Sequence, residues 1–506
     1  MLELRPRRLW LAVLLAAVAA LALAPAGAHA ADVIVLGPGH RTSVVDDPFL
    51  AGIPATPIPE ALASTAAGRR SYRHTSPCVV CAVLRKLRNA RAIADSAYRH
   101  YRAVYAAAIA SARRLQGTRA AELGAVIANV EQMAADGLLT ASRLTPVFET
   151  LARNRQWWTT GPLLTQYQRV GFSGSQLVWE YYPGQGIELQ VLGNFGKADG
   201  LYTAGPAQYP NLRGLLDELS ALAVRRAGRL TWEYYFQFDG GTPPWISAMA
   251  QGTAIEALTR AYRAFGERSY LQLAHRALAV LRVMPPVGVG VPTPLGRRYV
   301  QYSFAPDANI LNAFLQTLIG VYDYARASGD PVARRLFAAG DAEARAEVPG
   351  YDTGAWSLYQ PGLEDTLSYH ILVTGFLHEL CVRTSAKVYC ATAHRFHSYL
   401  KTAPGLTLLT TRLHRRTSGL ISFRLSKYSH VGIVLTSGQR TLFETSADFP
   451  YGIEAFAVPA LAPGTYAVRL AATDLAGNFG RITGKLVVPA APRRHKHVSG
   501  GARAAH

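Results

Sequence analysis

The chain has 506 residues, 49% of them hydrophobic, so it can bury a large core and we expect two or three domains. Lysine and arginine number 53 against 33 aspartates and glutamates, and the formal net charge is +20. Such a charge favours a polyanionic partner, although an arginine-rich and alanine-rich coding bias explains it equally well. Apart from one N-terminal run, no stretch is long and apolar enough to cross a bilayer, which excludes a multispan membrane protein.

The first thirty residues predict an export signal. Arg5, Arg7 and Arg8 precede an apolar run over residues 9–24, and Ala28-His29-Ala30 supplies a small-residue cleavage site. An uncleaved membrane anchor is the alternative, because the apolar run is near the length of a membrane span. We expect a secreted or cell-envelope protein with no stable membrane span after signal cleavage.

Two regions of different character follow the signal. Residues 31–75 are rich in Pro, Gly, Thr and Ala and show no sustained period, so we expect an extended, largely unpacked linker. Over residues 76–165 the apolar residues recur at helical spacing, for example Leu84, Leu87 and Tyr101, with arginine and lysine between them. A basic helix of this kind could lie on a membrane or on an acidic chain. More often it is one wall of a helical domain.

The four cysteines fit an oxidising compartment. Cys381 and Cys390 fall at the end of one predicted helix and the start of the next, and we expect them to form a disulfide. Cys78 and Cys81 have three interpretations: a local disulfide, half of a metal site, or a redox pair. The disulfide is favoured because the preceding residues do not look like the strand that a redox unit needs.

Neither a metal nor a cofactor is expected. His394 and His397 lie three apart on a predicted helix, and His495 and His497 lie in a basic tail. No carboxylate or cysteine partner stands at a fixed spacing from either pair, so the sequence lacks a metal-binding signature. No nucleotide-binding glycine loop follows a predicted strand.

Two strong helices are predicted in the middle of the chain. One begins near Ala248, after Pro243 and Pro244, and its apolar stripe includes an alanine and a glycine that would let another helix or a ligand approach closely. The other begins after Pro306, with Asp307 or Asn309 as its cap. Aromatic residues are frequent over 157–182, where stacking against sugars and packing in a core explain them equally well.

After about residue 400 the hydrophobic period changes from 3.6 to 2. Short alternating runs, such as those around Ile433, Ala455 with Ala457, and Val468, are separated by glycine-containing turns. About seven strands in some ninety residues predict an all-β immunoglobulin-like or fibronectin-like sandwich over 404–489. The Pro-rich and Arg-rich residues 490–506 predict a disordered basic tail.

Four segments occur in an order that resembles the C-terminal catalytic domain of the D-glucuronyl C5-epimerases, in a divergent, exported, bacterial-type form. They are PPWISAMAQG at 243–252, ILNAFLQTLIGVYDY at 310–324, YDTG at 351–354 and SYH at 368–370. The resemblance implies a mainly α fold, with an (α/α) toroid or barrel over residues 166–403 ahead of the β-sandwich. It also implies uronate C5-epimerisation on an acidic polysaccharide.

The resemblance also assigns site residues. Epimerisation removes a proton from the carbon beside a carboxylate and returns one on the opposite face, so a base and an acid flank the ring. The family's catalytic tyrosines correspond to Tyr302 and Tyr369, and a substrate-contacting tyrosine corresponds to Tyr359. Gln301 stands where the family has a glutamate, and a glutamine cannot take a proton. The arginine that follows the last tyrosine in the family is also missing, because residues 360–363 read Gln-Pro-Gly-Leu.

Further residues are predicted to compensate or to contact substrate. Arg297 or Arg298 could hold the uronate carboxylate. Glu364, Asp365 or His370 could serve as a relocated base, with His370 also a substrate contact, although a helix-start role for Asp365 is favoured. A looser resemblance of the segment before the barrel adds Tyr182 and Lys197 as substrate contacts.

Two other functions compete with epimerisation. A polysaccharide lyase begins with the same proton abstraction and then eliminates, and a polyanion-binding wall protein would keep the scaffold without the base. Gln301 favours the polyanion-binding wall protein. The expected partner is an acidic polysaccharide and not nucleic acid, and a homodimer is one alternative for the assembly.

Overall fold

The computed structural model describes residues 31–50, 78–414 and 418–490. It divides into two compact units, residues 1–347 and 348–506, called unit 1 and unit 2 below. The predicted signal, residues 51–75 of the predicted linker, and the tail with His495 and His497 lie outside the described residues. No helix within the described ranges is long and apolar enough to span a membrane.

Unit 1 is mainly helical. Its α-helices are α1 Val79–Asn89, α2 Asp95–Ala112, α3 Gly117–Ala135, α4 Leu144–Thr160, α5 Val191–Thr203, α6 Tyr209–Ala221, α7 Ala248–Phe265, α8 Arg268–Ala277, α9 Leu311–Ser328 and α10 Pro331–Glu347. The predicted start of α7 is confirmed, because Ser247 Oγ caps it by accepting the Ala250 N–H at 3.2 Å. The predicted caps of α9 are wrong, since that helix follows Ile310 and has no side-chain cap.

Helices α7 and α9 approach each other closely at two glycines. A Cβ atom on Gly320 would lie 2.0 Å from the carbonyl oxygen of Gly252, and one on Gly252 would lie 2.5 Å from Cα of Thr317. A side chain at either position would push the helices apart. The small residues of the predicted stripe therefore allow the close approach of another helix. That helix is α9, which occupies the place where a ligand was the alternative.

The predicted linker includes two strands that belong to a sheet. The strands β1 Ala31–Leu36, β2 Thr42–Asp47, β3 Arg169–Phe172, β4 Trp179–Tyr182 and β5 Gly186–Leu189 form one sheet in the order β2-β1-β3-β4-β5. Strand β1 runs parallel to β3 and antiparallel to β2. Residues 31–47 are thus not an unpacked linker. The composition of the whole segment concealed a short β-branched run whose Val33 and Leu36 are buried.

Two further pairs of short strands complete unit 1, namely β6 Val224–Arg226 with β7 Arg229–Thr231, and β8 Gly290–Pro292 with β9 Arg297–Tyr299. Unit 2 begins with the hairpin β10 Leu358–Gln360 and β11 Leu363–Glu364, followed by α11 Leu367–Thr384 and α12 Lys387–Tyr399. The predicted disulfide between Cys381 and Cys390 joins α11 to α12. The predicted disulfide between Cys78 and Cys81 lies at the start of α1, so both are confirmed.

The rest of unit 2 is a β-sandwich, as its period predicts. Its strands are β12 Leu406–Leu408, β13 Gly419–Leu425, β14 Ser429–Ser437, β15 Arg440–Phe449, β16 Gly452–Val458, β17 Gly464–Asp474 and β18 Phe479–Val488. They form two sheets, β12-β13-β16 and β15-β14-β17-β18, whose inner faces share one hydrophobic core. The all-β region is confirmed, and its immunoglobulin-like character stays a prediction.

Polar side chains of the sandwich bind the end of α12. The Lys427 ammonium donates to the carbonyl oxygens of Tyr399 at 2.8 Å and Thr402 at 2.5 Å, and it also pairs with Asp474 at 2.6 Å. Lys427 and Asp474 are both buried. A positive charge at the C-terminus of a helix is favourable because the helix dipole is negative there.

Candidate functional site

Tyr302 lies in a cluster of aromatic rings in unit 1. The rings touch one another in series, and we call them the aromatic cluster: Tyr182, Tyr234, Phe236, Phe238, Trp245, Tyr302 and Phe304. The centroid of Tyr302 lies 5.1 Å from that of Phe304 and 5.6 Å from that of Phe238. Tyr302 is only 8% exposed, so its phenol sits in surroundings that exclude most water.

The segment before α7 builds this cluster by folding back on itself. Tyr234 and Trp245 exchange two backbone hydrogen bonds of 2.9 and 3.2 Å, and their rings stack at 4.2 Å. Farther along, Phe238 pairs with Gly241. A Cβ atom on Gly241 would lie 2.3 Å from the ring of Phe304, so only glycine lets that ring pack against the turn.

Two predicted residues, Tyr182 and Tyr302, are brought to the same aromatic side chain. Phe238 lies 6.3 Å from Tyr182 and 5.6 Å from Tyr302 between ring centroids. The phenol of Tyr182 accepts a hydrogen bond of 3.0 Å from Gln190, and the Gln190 amide oxygen accepts one of 3.5 Å from Tyr234. Burial raises the pKa of Tyr234, and the neighbouring Tyr302 phenol raises it further. Tyr234 is therefore a neutral phenol beside the predicted catalytic tyrosine.

Gln301 is held at the N-terminus of α7. Ser247 Oγ donates to Gln301 Oε1 at 3.3 Å, and the same hydroxyl caps the helix. A serine O–H can donate equally well to a carboxylate, and a helix N-terminus favours negative charge. The position therefore suits the glutamate of the family.

Lys197, which the sequence predicts as a substrate contact, has two partners within the protein. Its ammonium pairs with Asp47 at 2.9 Å and donates to the carbonyl oxygen of Gln176 at 3.0 Å, and the residue is 8% exposed. Lys197 thus joins α5 to β2, and a contact with substrate would require it to leave that ion pair. The spacing of 150 residues between the two partners gives no signal in the sequence.

The two arginines predicted to hold a uronate carboxylate already have protein partners. Arg298 is buried, forms an ion pair with Glu347, and lies over the ring of Phe314. Arg297 donates to the Gly290 carbonyl oxygen at 2.9 Å. Arg298 therefore ties β9 to the end of α10, and a role as a carboxylate clamp would require it to leave that ion pair.

In unit 2 the predicted residues Tyr359 and Tyr369 are in contact. Their rings meet edge to face with centroids 5.2 Å apart, and both residues are buried. Tyr359 lies on β10, while Tyr369 is in the first turn of α11, where Thr366 Oγ1 accepts its backbone N–H at 3.4 Å. The hairpin and the helix start together place the two phenols side by side.

His370 is a core residue and not a substrate contact. It is completely buried, its ring stacks on Trp356 at 3.7 Å, and its Nε2 donates to the Phe396 carbonyl oxygen at 2.9 Å. Its Nδ1 lies 2.7 Å from Ser357 Oγ, which lies 2.5 Å from Asp365 Oδ2. Both ring nitrogens are therefore engaged. This correction follows from burial, which a histidine after a motif tyrosine does not reveal.

Glu364 and Asp365 are likewise engaged inside unit 2, although the sequence offers them as relocated bases. The carboxylate of Glu364 accepts the backbone N–H groups of Tyr428 at 3.0 Å and Tyr451 at 2.9 Å, so it joins β11 to two loops of the sandwich. Burial raises the pKa of Glu364 and raises that of Asp365 to about 7. Asp365 is an interior residue at 3% exposure, and the helix-start residue that caps α11 is Thr366.

The sequence missed several residues that shape the two sites. Tyr234, Phe236 and Trp245 complete the aromatic cluster, and Ser357 links His370 to Asp365. An alternation of aromatic residues from 232 to 238 was the available signal. Within the described ranges no group of three or more His, Cys, Asp or Glu side chains is placed to hold a metal ion.

Part of the chain matches a known protein family. Residues 227–398 match the family described as D-glucuronyl C5-epimerase C-terminus. A D-glucuronyl C5-epimerase of Caenorhabditis elegans is 34% identical over 130 residues, which cover 23% of this chain and 21% of that protein. An uncharacterised protein of Methanocaldococcus jannaschii is 26% identical over 137 residues, covering 26% of this chain and 44% of its own. The chain thus spans less than half the length of either relative.

Among solved structures, a sugar epimerase from a ruminal bacterium aligns at 15% identity over 44% of this chain and 61% of the other, with a TM-score of 0.32. Similarity at that level does not identify a fold. The match in sequence does identify a family, and the matched range includes Tyr302, Tyr359 and Tyr369. Residues 227–398 therefore belong to the D-glucuronyl C5-epimerase C-terminus family.

Proposed function

We propose that the protein is a carbohydrate epimerase that inverts C5 of uronate residues within an acidic polysaccharide. One observation carries the proposal. The two motif tyrosines, Tyr302 and Tyr369, are 8% and 9% exposed, and each packs against other aromatic side chains. Aromatic surfaces beside phenols suit a sugar ring, and exclusion of water strengthens the electrostatic interactions of a reacting carboxylate.

The reaction removes one proton from C5 and returns one proton to it. One group takes the C5 proton as the C5–H bond breaks, and the electron pair is delocalised into the neighbouring carboxylate. A second group donates its proton to the opposite face of C5. We assign these roles to Tyr302 and Tyr369, with Tyr359 and Tyr182 in contact with the sugar. The tyrosine that acts as base enters the reaction as a phenolate and leaves it as a phenol, while the other enters as a phenol and leaves as a phenolate, so protons and charge balance without Gln301.

The same resemblance supports further proposals about the whole protein. We place the helical part of residues 166–403 in the (α/α) toroid class and the region after 404 in the immunoglobulin-like class. We also propose that the protein acts outside the cytoplasm after signal cleavage. The two disulfides agree with that compartment.

Deuterium incorporation tests the activity. The protein is incubated in heavy water with heparosan-like and other uronic acid polymers, and exchange at C5 is followed by NMR. We expect exchange that Tyr302→Phe and Tyr369→Phe each reduce by about 100-fold or more, the typical contribution of a general acid or base. Tyr262→Phe, the same change at a half-buried residue in the last turn of α7, should leave the rate unchanged.

The other outcomes separate the alternatives. An unsaturated product that absorbs in the ultraviolet would show a lyase. Binding of uronans without any exchange would show a polysaccharide-binding protein, the alternative that Gln301 favours. Exchange that survives both tyrosine substitutions would reject the assignment of these residues while leaving the reaction itself standing.

A further inference from the structure

The four-stranded sheet of the sandwich has one face in the core and one face toward solvent. Along β17 the residues Tyr466, Val468 and Leu470 are buried, so Arg469 and its alternate neighbours point the other way. On β18 the buried Leu486 and Val488 set the same alternation. The solvent face of β18 therefore carries every second residue from 479 to 487.

Three cations gather on this solvent face. Arg469 pairs across the strands with Thr483, so Arg481 and Lys485 flank it as the two diagonal neighbours, each about 7–8 Å away between Cα atoms. All three are exposed, and no ion pair joins any of them to a described residue of the chain. Three unpaired cations so close together repel one another, and an anionic ligand would relieve that repulsion.

The side chains between these cations are small. Ala471 stands opposite Arg481, and Ala467 stands opposite Lys485, while Gly432 on β14 follows Ala471 in the same row. Gly432 has no side chain of its own, and the atom nearest to its Cβ position is the carbonyl oxygen of Thr445 at 3.9 Å. An extended chain can therefore lie across the strands without meeting a large side chain.

An aromatic ring completes the face. Phe479 begins β18, lies two residues from Arg481 on the same side of the strand, and is 58% exposed. An aromatic side chain exposed on a flat sheet, beside cations and hydroxyls, fits the apolar face of a sugar ring. The carboxylates Glu444 and Asp448 lie on β15 at the opposite edge of the sheet, so the cationic side is confined to β17 and β18.

We propose that Arg469, Arg481, Lys485 and Phe479 form a binding site for an acidic polysaccharide, here called the basic face. The identification of the polymer as a uronan rests on the function proposed above, whereas the preference for a carbohydrate polyanion rests on the cations and the ring. The basic face would hold a long chain while chemistry occurs elsewhere on the protein. Short oligosaccharides that cannot span both places would not use it.

Binding of the full-length protein to a glucuronic acid polymer tests this site. The triple variant Arg469→Ser, Arg481→Ser, Lys485→Ser should bind at least roughly tenfold more weakly at moderate salt, since three exposed charge contacts are lost. The slope of log affinity against log salt should fall in magnitude by about two. Phe479→Ala should weaken binding without changing that slope. Competition with single-stranded DNA should favour the uronan in the unaltered protein.

A matched control removes the same charge elsewhere in unit 2. Lys401, Arg424 and Arg440 are exposed cations outside the basic face, and their triple serine variant should keep most of the affinity and the slope. Equal losses in the two triple variants, or stronger binding of the DNA, would overturn the proposal. Circular dichroism verifies that both variants are folded.

The reaction assay keeps this proposal separate from the proposed function. If the protein is an epimerase, the basic-face variant should raise KM for the polymer and leave exchange on short oligosaccharides unchanged. If the unaltered protein catalyses no exchange but binds the polymer, and the basic-face variant loses that binding, the proposed epimerase activity is wrong. The proposed binding site is then supported. Loss of exchange on the short substrates as well would refute a separate site.

Discussion

Ser357 Oγ lies 2.7 Å from Nδ1 of His370, and both residues are completely buried. Because Nε2 of the histidine donates to a backbone carbonyl, a neutral ring leaves Nδ1 as an acceptor, and Ser357 donates to it. The Ser357 backbone N–H donates to Nδ1 at 3.3 Å, while the Ser357 hydroxyl donates to Asp365 Oδ2. Burial lowers the pKa of His370 to about 4, which fits a neutral ring. Burial also raises the pKa of Asp365 to about 7, although the hydrogen bond from Ser357 acts in the opposite direction.

The arrangement predicts a pH-dependent stability for Asp365→Asn. The folded pKa of His370, about 4, lies below its ordinary 6.5, so its contribution is present above pH 6.5 and is lost as the pH falls toward 4. The folded pKa of Asp365, about 7, lies above 3.8, so its contribution is present below pH 3.8 and is lost as the pH rises through 7. The two slopes oppose each other, and each is at most about 1.4 kcal/mol per pH unit.

In the Asp365→Asn variant, of the two groups only His370 still contributes to the slope of the unfolding free energy against pH. We expect Asp365→Asn to lose about 2 kcal/mol of unfolding free energy between about pH 6.5 and pH 4.5, measured by urea denaturation, with a smaller change in the unaltered protein. Asp307→Asn, at an exposed position, is the control and should follow the unaltered protein. A flat profile for Asp365→Asn would contradict a neutral buried histidine.

Gln301→Glu should restore a base at the N-terminus of α7. The new carboxylate can keep the hydrogen bond from Ser247 and remove a proton that the amide cannot. We expect C5 exchange to rise by about 100-fold, the lower part of the range for general base catalysis. Gln237→Glu adds the same charge at an exposed residue of the neighbouring segment and should have no such effect. An equal gain from both changes would point to charge alone.

Glu364→Gln should weaken unit 2 without removing a base. The substitution turns an oxygen that accepts from Tyr428 or Tyr451 into an N–H donor, which we expect to cost about 1–3 kcal/mol of unfolding free energy. The exchange rate of the folded fraction should be unchanged. Glu379→Gln, at an exposed residue of α11, is a control that should lose much less stability. A stable variant without exchange would instead revive Glu364 as the relocated base.

Gly320→Ala should be strongly destabilising, in contrast to Gly375→Ala. The new methyl group would meet the backbone of Gly252 at 2.0 Å, so helices α7 and α9 would have to separate. Around Gly375, in α11, no atom lies within 4 Å of the Cβ position, and alanine is the better helix former there. We expect the melting temperature to fall by several degrees for the first variant and to stay or rise slightly for the second. Similar melting temperatures would show that α7 and α9 are not held at this spacing.

The sequence predicts local features of this protein well and distant contacts poorly. The start of α7, both disulfides and the change of period near residue 400 depend on neighbours in the chain, and the structure agrees with each. Along β16 the alternation of Ala455 and Ala457 indicates the wrong face, because the larger Phe456 and Val458 are the buried residues. Lys197 has an interior partner that only the tertiary fold brings near.

The limits are similar for the candidate sites. Motif spacing identified Tyr302, Tyr359 and Tyr369, but the rings around Tyr302 come from segments on both sides of α7. The role of His370 depends on burial, and burial is decided by packing against Trp356 and α12. A single sequence contains no separate signal for such packing.

Helix α12 does not end on a cap of its own. The donors that satisfy the carbonyl oxygens of Tyr399, Leu400 and Thr402 are the side chains of Lys427 and Asn478, which come from loops of the sandwich. An expression fragment that stops near residue 403 would therefore lose these side-chain donors and leave Glu364 without the amides it binds. The residue at which the hydrophobic period changes is thus a poor place to cut this protein, and biochemical work on the helical part calls for the sandwich to stay attached.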